Sequence, residues 1–262
     1  MSGFGRCSLA VITPIISAMG IQCVPVPTAI LSTHTGGFDD FVFRDMTDFI
    51  SPCCGHYKRL GIEFDTIYSG FLGSDAQVDS CIEFFEAFPE AKRIVDPVMG
   101  DDGSCYQTYT PKLVERMKDL VRHADVITPN LTEAALLLDM PYSERLTEAR
   151  ARDMLELLCT MSKDVVITGV KLTTGEHANI CMDSETGTYT AVRWEPLPAS
   201  YPGTGDIFAS VMTGRMMLGD TFVEAVRRAS EFVRKAVEAT IGNGQPARNG
   251  VEFERLLPEL AE

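Results

Sequence analysis

The sequence predicts an α/β fold built on a mostly parallel sheet, and three observations carry that prediction. Short apolar runs at 66–68, 93–95, 126–128 and 165–168 alternate with amphipathic segments of helical length. Each run is short and apolar, as strands buried on both faces of a parallel sheet must be. The loops richest in polar and glycine residues, at 32–37, 69–73, 96–103, 128–133 and Gly169, each follow a predicted strand. In open parallel sheets, ligands gather beyond the C-terminal strand ends, so these loops are expected to share one site.

Each element follows from local chemistry. Residues 2–6 read as a glycine loop with no strand before it, followed by a helix over about 7–19 that Pro14 kinks and Gly20 closes. Residues 21–26 and 28–31 read as extended apolar chain. Ser51-Pro52 reads as a helix start, a cap followed by a first-turn proline, and Gly61 as that helix's end. Over 76–88, Val78, Cys81, Ile82, Phe85 and Phe88 share one helical face. Thr110-Pro111 opens a helix to about Arg122, Asn130 leads into another, and Thr147 caps a third reaching about Met161. The strand at 165–168 is expected to end at Gly169. Residues 177–182 and 188–194 alternate as an antiparallel hairpin around the turn 184–187. A long helix over 221–241 buries Val226, Ala229, Phe232, Val233, Ala236 and Val237.

Bulk properties narrow the function. The chain has 262 residues, 45% of them hydrophobic, enough for a large core. No linker, low-complexity tract or internal repeat interrupts it, so residues 1–262 are expected to form one domain. A net charge of −14 argues against nucleic acid or an anionic membrane as partner. It leaves a nucleotide site open, because a few local N–H groups outweigh a diffuse field. No stretch reads as a membrane span or a signal peptide, so a cytoplasmic location is expected. The eight cysteines form no C-x-x-C pair. They are expected to be small buried hydrophobes, with the adjacent Cys53-Cys54 as a redox alternative.

The stretch Tyr201-Pro202-Gly203-Thr204-Gly205-Asp206-Ile207-Phe208 concentrates the chemistry. A glycine turn feeding a helix N-terminus aims several N–H groups at one spot, and the helix dipole adds positive potential there. An acid inside such an anion hole suits phosphoryl transfer, with Asp206 taking the proton of an attacking hydroxyl. The competing reading is a plain helix cap, for which Asp is a favoured residue. His34 is likewise either a catalytic base or a hydrogen-bonded loop residue. Asp96 and Asp101 follow one strand, Asn130 and Glu133 another, and hard oxygen ligands in modest number suit Mg²⁺ with nucleotide phosphates. Taken singly, Asp96-Pro97 also reads as a turn and Glu133 as a first-turn helix charge. No G-x-x-x-x-G-K-[ST] loop is present, and Ser2-Gly3-Phe4-Gly5 lacks the features of a dinucleotide fingerprint.

Asp96-Pro97-Val98-Met99-Gly100-Asp101, Thr128-Pro129-Asn130-x-x-Glu133 and Gly203-Thr204-Gly205-Asp206, in this order, resemble the ribokinase-like superfamily, and most of all its pyridoxal kinase branch. Ser2-Gly3-Phe4-Gly5-Arg6-Cys7-Ser8, Leu31-Ser32-Thr33-His34-Thr35-Gly36 and Asn249-Gly250-Val251-x-Phe253-Glu254 resemble bacterial pyridoxamine kinases. The resemblance runs from Ser2 to the C-terminal helix. It implies a three-layer α/β/α fold with a mostly parallel central sheet and an antiparallel hairpin near the C-terminal half. It implies ATP-dependent phosphorylation of the 5′-hydroxymethyl group of a B6 vitamer (pyridoxal, pyridoxamine or pyridoxine) in pyridoxal 5′-phosphate salvage, with Mg²⁺ and a monovalent cation such as K⁺. By matching motif, Asp206 is the base and Gly203, Thr204 and Gly205 the anion hole. Ser2, Thr35 and Tyr68 are implied to contact the pyridine ring. Asp96, Asp101, Asn130, Thr168 and Thr204 are implied to serve the nucleotide, and Asp96 and Glu133 the metal. A homodimer is also implied. The family carries a strand before Ser2, so a chain starting at Met1 is expected to lack it. Two alternatives stand beside this reading. One is a hydroxymethylpyrimidine kinase of the same fold, which usually carries Cys in place of Asp206. The other is a vitamer-binding protein without activity. A sugar kinase of the superfamily fits less well, since those usually carry extra strands near the N-terminus.

Overall fold

The computed structural model describes residues 1–261. In chain order its elements are β1 (Ser2–Phe4), α1 (Leu9–Ala18), β2 (Ala29–Thr33), β3 (Phe43–Asp45), α2 (Thr47–Arg59), β4 (Thr66–Ser69), α3 (Asp75–Ala87), β5 (Lys92–Val95), β6 (Gly100–Asp101), β7 (Ser104–Cys105), α4 (Pro111–Arg122), β8 (Val126–Ile127), α5 (Leu131–Leu137), α6 (Glu148–Leu158), β9 (Asp164–Lys171), β10 (His177–Asp183), β11 (Thr188–Trp194), α7 (Thr204–Met217) and α8 (Phe222–Gly242), followed by short 3₁₀ turns. These fall into two compact units, Thr47–Pro196 and Met1–Met46 with Leu197–Glu262.

The unit Thr47–Pro196 holds a six-stranded sheet in the order β11-β10-β9-β8-β5-β4. Strands β4, β5, β8 and β9 run parallel, and β10 and β11 add an antiparallel hairpin at one edge. This is the mixed α/β class expected from the alternating pattern. Ile94, Val95, Ile127, Val165 and Ile167 of the parallel strands are buried, as are Leu113, Met117 and Leu120 of α4 and Leu155 and Leu158 of α6. Truncating one of these to alanine would cost about 2–5 kcal/mol. Thr110 and Thr147 cap α4 and α6 through their hydroxyls, as their positions before the apolar runs predict.

In the unit Met1–Met46 with Leu197–Glu262, β2 pairs in parallel with β1 and antiparallel with β3. Helix α7 is buried at every residue from Ile207 to Gly214, the signature of a helix enclosed on all sides. At Gly214 a side chain would overlap Met19, so this glycine lets the segment after α1 approach α7 closely. Helix α8 buries Phe222, Ala225, Val226, Ala229, Phe232, Ala236 and Val237, close to the predicted stripe, and Thr221 caps it.

Several local expectations are corrected. Ser2-Gly3-Phe4 is a strand rather than a loop, because it finds a parallel partner in Leu31–Thr33. Helix α2 starts at Thr47, not at Ser51-Pro52; Thr47 and Asp48 form its first turn, and Pro52 lies inside it. The segment 21–26 is not a strand, while the exposed Phe43–Asp45 is. The loop 96–103 contributes a two-residue strand to a small hairpin, where a side chain at Gly100 would overlap the Ser104 carbonyl oxygen. Strand β9 passes through Gly169 rather than ending there. Its register with β10 shifts at that point, and Gly169, with φ of 64°, donates its N–H to Asn179 Oδ1 at 2.9 Å. All eight cysteines are free; Cys54 and Cys181 are buried as expected, whereas Cys105 is exposed. No helix among the described residues is long and apolar enough to cross a membrane.

Candidate active site

The first group of predicted site residues lies in the unit Met1–Met46 with Leu197–Glu262. Gly203 is the N-cap of α7, with φ of 84°, in the left-handed region that glycine occupies without strain. Asp206 is therefore the third residue of the helix, not its cap, which removes the plain-cap reading. Its Oδ2 accepts the backbone N–H of Ser8 at 2.8 Å. Burial pushes the Asp206 carboxyl above the usual carboxylate range; the Ser8 amide, the Cys7 thiol, the N-terminal ammonium and His34 oppose that rise. The first-turn amides of α7 have no intrahelical acceptor. A Cβ on Gly205 would meet nothing within 4 Å, so the first turn has open space beside it.

Ser2 is buried, and its hydroxyl lies 3.4 Å from that of Ser8, which places it beside the Asp206 group. Thr35 is exposed on the loop after β2. At its neighbour Gly36, a Cβ would lie 3.7 Å from the Pro202 ring, so this loop borders the turn that enters α7. The Thr204 hydroxyl donates to the Tyr201 carbonyl at 3.3 Å. His34 is buried and already satisfied. Its Nδ1 accepts the Gly36 N–H at 3.1 Å, so Nε2 carries the proton and donates to the Arg248 carbonyl at 2.8 Å. That is the hydrogen-bonded loop histidine, not a free base.

Ser8 is the residue that the sequence reading missed. It holds φ of 51° and ψ of −140° without being glycine, a strain of about 1–3 kcal/mol that surrounding contacts must hold in place. Those contacts come from both chain ends. Arg6 donates its N–H to the Asn249 carbonyl at 3.2 Å and its Nε to Glu254 at 2.6 Å. Gly250, with φ of 78°, packs against the Arg6 backbone. The N-terminal and C-terminal motifs thus form one clamp.

The second group lies at the C-terminal ends of the parallel strands β4, β5 and β8 and on the adjoining β9 in the unit Thr47–Pro196. Tyr68, from β4, donates its hydroxyl to Asp96 Oδ2 at 3.2 Å, just beyond β5. Asn130 caps α5, and Glu133 completes a capping box with it. Glu133 is buried and accepts the N–H of Asn130 at 2.8 Å and of Met99 at 3.1 Å, tying the loops after β8 and β5 together. Asn130 donates to the Gly100 carbonyl at 2.8 Å and bridges to Thr168 of β9. Asp101 is exposed on the small hairpin. Tyr68 thus contacts Asp96, one of the residues expected at the nucleotide.

Burial, and next the charge of Asp96, push the Glu133 carboxyl well up, against the pull of the Asn130 and Met99 amides. Two acids so placed fit a cation that relieves their repulsion. Among the described residues no three His, Cys, Asp or Glu side chains are grouped to hold a metal by themselves. Mg²⁺ suits such a sparse oxygen set, since it keeps several waters and takes phosphate oxygens.

A sequence model of the phosphomethylpyrimidine kinase family matches residues 14–250. A Bacteroides thetaiotaomicron structure, described as a phosphomethylpyrimidine kinase and solved with pyridoxal, is 39% identical; the match covers 100% of this chain and 93% of that one, with a TM-score of 0.94. Pyridoxal kinase from Lactobacillus plantarum is 31% identical, with 99% and 93% covered and a TM-score of 0.92. A pyridoxine/pyridoxal/pyridoxamine kinase from Bordetella bronchiseptica is 26% identical over 252 residues, 90% of this chain and 86% of the relative.

Proposed function

The chain belongs to the phosphomethylpyrimidine kinase family, in the pyridoxal kinase branch of the ribokinase-like superfamily, and from that premise we propose that it is a B6 vitamer kinase. It transfers the γ-phosphoryl group of ATP to the 5′-hydroxymethyl group of pyridoxal, pyridoxamine or pyridoxine. The observation that carries this reading is an acid, Asp206, in the first turn of α7, held by an amide of another segment rather than spent as a cap.

Asp206 accepts the proton of the attacking hydroxyl, and its raised pKa brings it closer to the working pH of a general base. Gly203, Thr204 and Gly205 form the anion hole, whose amides stabilise charge on the transferring phosphoryl group. Ser2, Thr35 and Tyr68 orient the pyridine ring. Asp96, Asp101, Asn130, Thr168 and Thr204 bind the nucleotide. Asp96 and Glu133 would hold Mg²⁺, which neutralises phosphate charge when bound, and Thr168 would lie near a K⁺. One kinase domain over residues 1–262, a homodimer and a cytoplasmic location complete the reading.

The test is ADP release across a panel of the three vitamers, hydroxymethylpyrimidine and ribose. The account expects the highest kcat/KM on a vitamer. A higher value on hydroxymethylpyrimidine would assign the chain to the other substrate of its family. Saturable pyridoxal binding without ADP release would make it a binding protein.

A further inference from the structure

We propose that Arg6 and Glu254 are positioning residues for the Asp206 base: their ion pair holds Ser8 at its positive φ, so that the Ser8 amide stays on the carboxylate. The inference rests on the kinase reading above and deepens it. Ser8, at φ of 51°, sends its N–H to Asp206 Oδ2 at 2.8 Å. Its side chain makes no capping hydrogen bond to α1, so it does not fix that backbone itself. The hold comes through Arg6, two residues earlier. Arg6 donates its N–H to the Asn249 carbonyl at 3.2 Å and its Nε to Glu254 Oε1 at 2.6 Å. Gly203, the N-cap of α7, packs against the Arg6 carbonyl. The residue that carries the amide and the helix that carries the acid are thus both referenced to Arg6.

The segment that grips Arg6 is itself anchored. Val251 and Phe253 are buried, while Glu252 and Glu254 alternate with them and meet the Arg6 guanidinium, Glu252 at 3.9 Å. The Glu252 N–H donates to Thr240 Oγ1 of α8 at 2.8 Å. Half of the Glu254 side chain is exposed, and such a pair adds little to global stability. Its leverage is local, because a non-glycine residue at positive φ persists only where its surroundings enforce it. The charged or titratable groups bearing on Asp206 are the N-terminal ammonium, His34 and the Cys7 thiol. Substitution at Arg6 or Glu254 leaves all three in place.

The experiment compares wild type, Arg6→Gln, Glu254→Gln, Ser8→Gly, the Ser8→Gly/Glu254→Gln double variant and Asp206→Asn in the full chain. Each is followed by steady-state kinetics across pH with pyridoxal and ATP, and by thermal midpoint. Glu254→Gln and Arg6→Gln are each expected to lower kcat about threefold, with both KM values within about twofold and the thermal midpoint nearly unmoved. The acid limb of the Glu254→Gln kcat profile should move to higher pH, because the carboxylate loses a donor. Removing a negative charge that acted only through its field would move that limb to lower pH, so the direction separates positioning from simple electrostatics. Glycine adopts the Ser8 conformation without strain. Glu254→Gln should therefore cost less kcat in the Ser8→Gly background than in wild type. An acid limb in Glu254→Gln that stays in place or moves to lower pH, wild-type kcat in Arg6→Gln, or an equal cost of Glu254→Gln in both backgrounds overturns the proposal. Asp206→Asn separates the two levels. If it is inactive while Glu254→Gln matches wild type, only this inference fails; if it turns over like wild type, the kinase mechanism itself fails.

Discussion

Gly203 touches Arg6 backbone to backbone: a Cβ on Gly203 would overlap the Arg6 carbonyl oxygen. Two residues on, Gly205 has the opposite surroundings, with nothing within 4 Å of where its Cβ would stand. The two glycines therefore have different physical reasons to be glycine. Gly203 permits a left-handed turn and a close approach, whereas Gly205 leaves space free.

Alanine at each position should separate fold from function. Gly203→Ala is expected to lower stability by about 1–3 kcal/mol, through the positive φ and the clash with Arg6. Gly205→Ala lies in the first turn of α7 with room around it, so the thermal midpoint should hold. Its methyl group would occupy the space assigned to the phosphoryl group, and turnover should fall about tenfold or more, a loss of about 1.4 kcal/mol of transition-state stabilisation. Wild-type turnover in Gly205→Ala would move the anion hole elsewhere.

Glu133 connects two strand-end loops through its carboxylate, accepting the Asn130 and Met99 amides, and in the proposed kinase it would hold Mg²⁺ with Asp96. Glu133→Gln should raise the Mg²⁺ concentration for half-maximal activity about tenfold or more. Without metal its stability should change little, because the lost acceptor for the Met99 or Asn130 amide is offset by removal of a buried charge that Asp96 repels. An unchanged Mg²⁺ titration would reduce Glu133 to a capping-box residue.

Asp220 supplies a pH signature for the fold. Arg215 grips it with two hydrogen bonds, of 2.8 and 3.1 Å, and Arg228 lies 3.2 Å away. The Arg215 hydrogen bond first, against burial, holds the Asp220 carboxyl below its ordinary value of 3.8. A depressed folded pKa means stability that is present above the ordinary value and lost as pH falls through the folded one. Asp220→Asn should therefore cost about 0.5–1 kcal/mol in urea unfolding at neutral pH, with screening by solvent limiting the size. The gap to wild type should close in acid. A gap of equal size at both pH values would mean that packing, not the ion pair, sets it.

What the sequence made legible was what local chemistry encodes. Thr110 and Thr147 announce their helices because a cap acts within three residues. The hairpin of β10 and β11 is legible from alternation around a turn. Strand β3 was not, because all three of its residues are exposed and carry no apolar alternation. Pro52 misled, since a proline signals a helix start only when no earlier turn forms. At the site, the residue types of each motif were readable, but the partnerships were not. The Ser8–Asp206 bond spans 198 positions and the Arg6–Glu254 bond 248. No spacing rule reaches that far, and a left-handed Ser8 has no residue-type signal as a glycine would.

The central claim is that Asp206 removes the proton of the vitamer hydroxyl. The most direct measurement is vitamer-dependent ADP release by Asp206→Asn, with the KM for ATP determined alongside. A positioned general base is worth about 10² to 10⁴ in rate, so kcat should fall by that factor while the KM for ATP stays within about threefold. An Asp206→Asn enzyme that keeps wild-type kcat would contradict the account and leave Asp206 as a structural partner of Ser8.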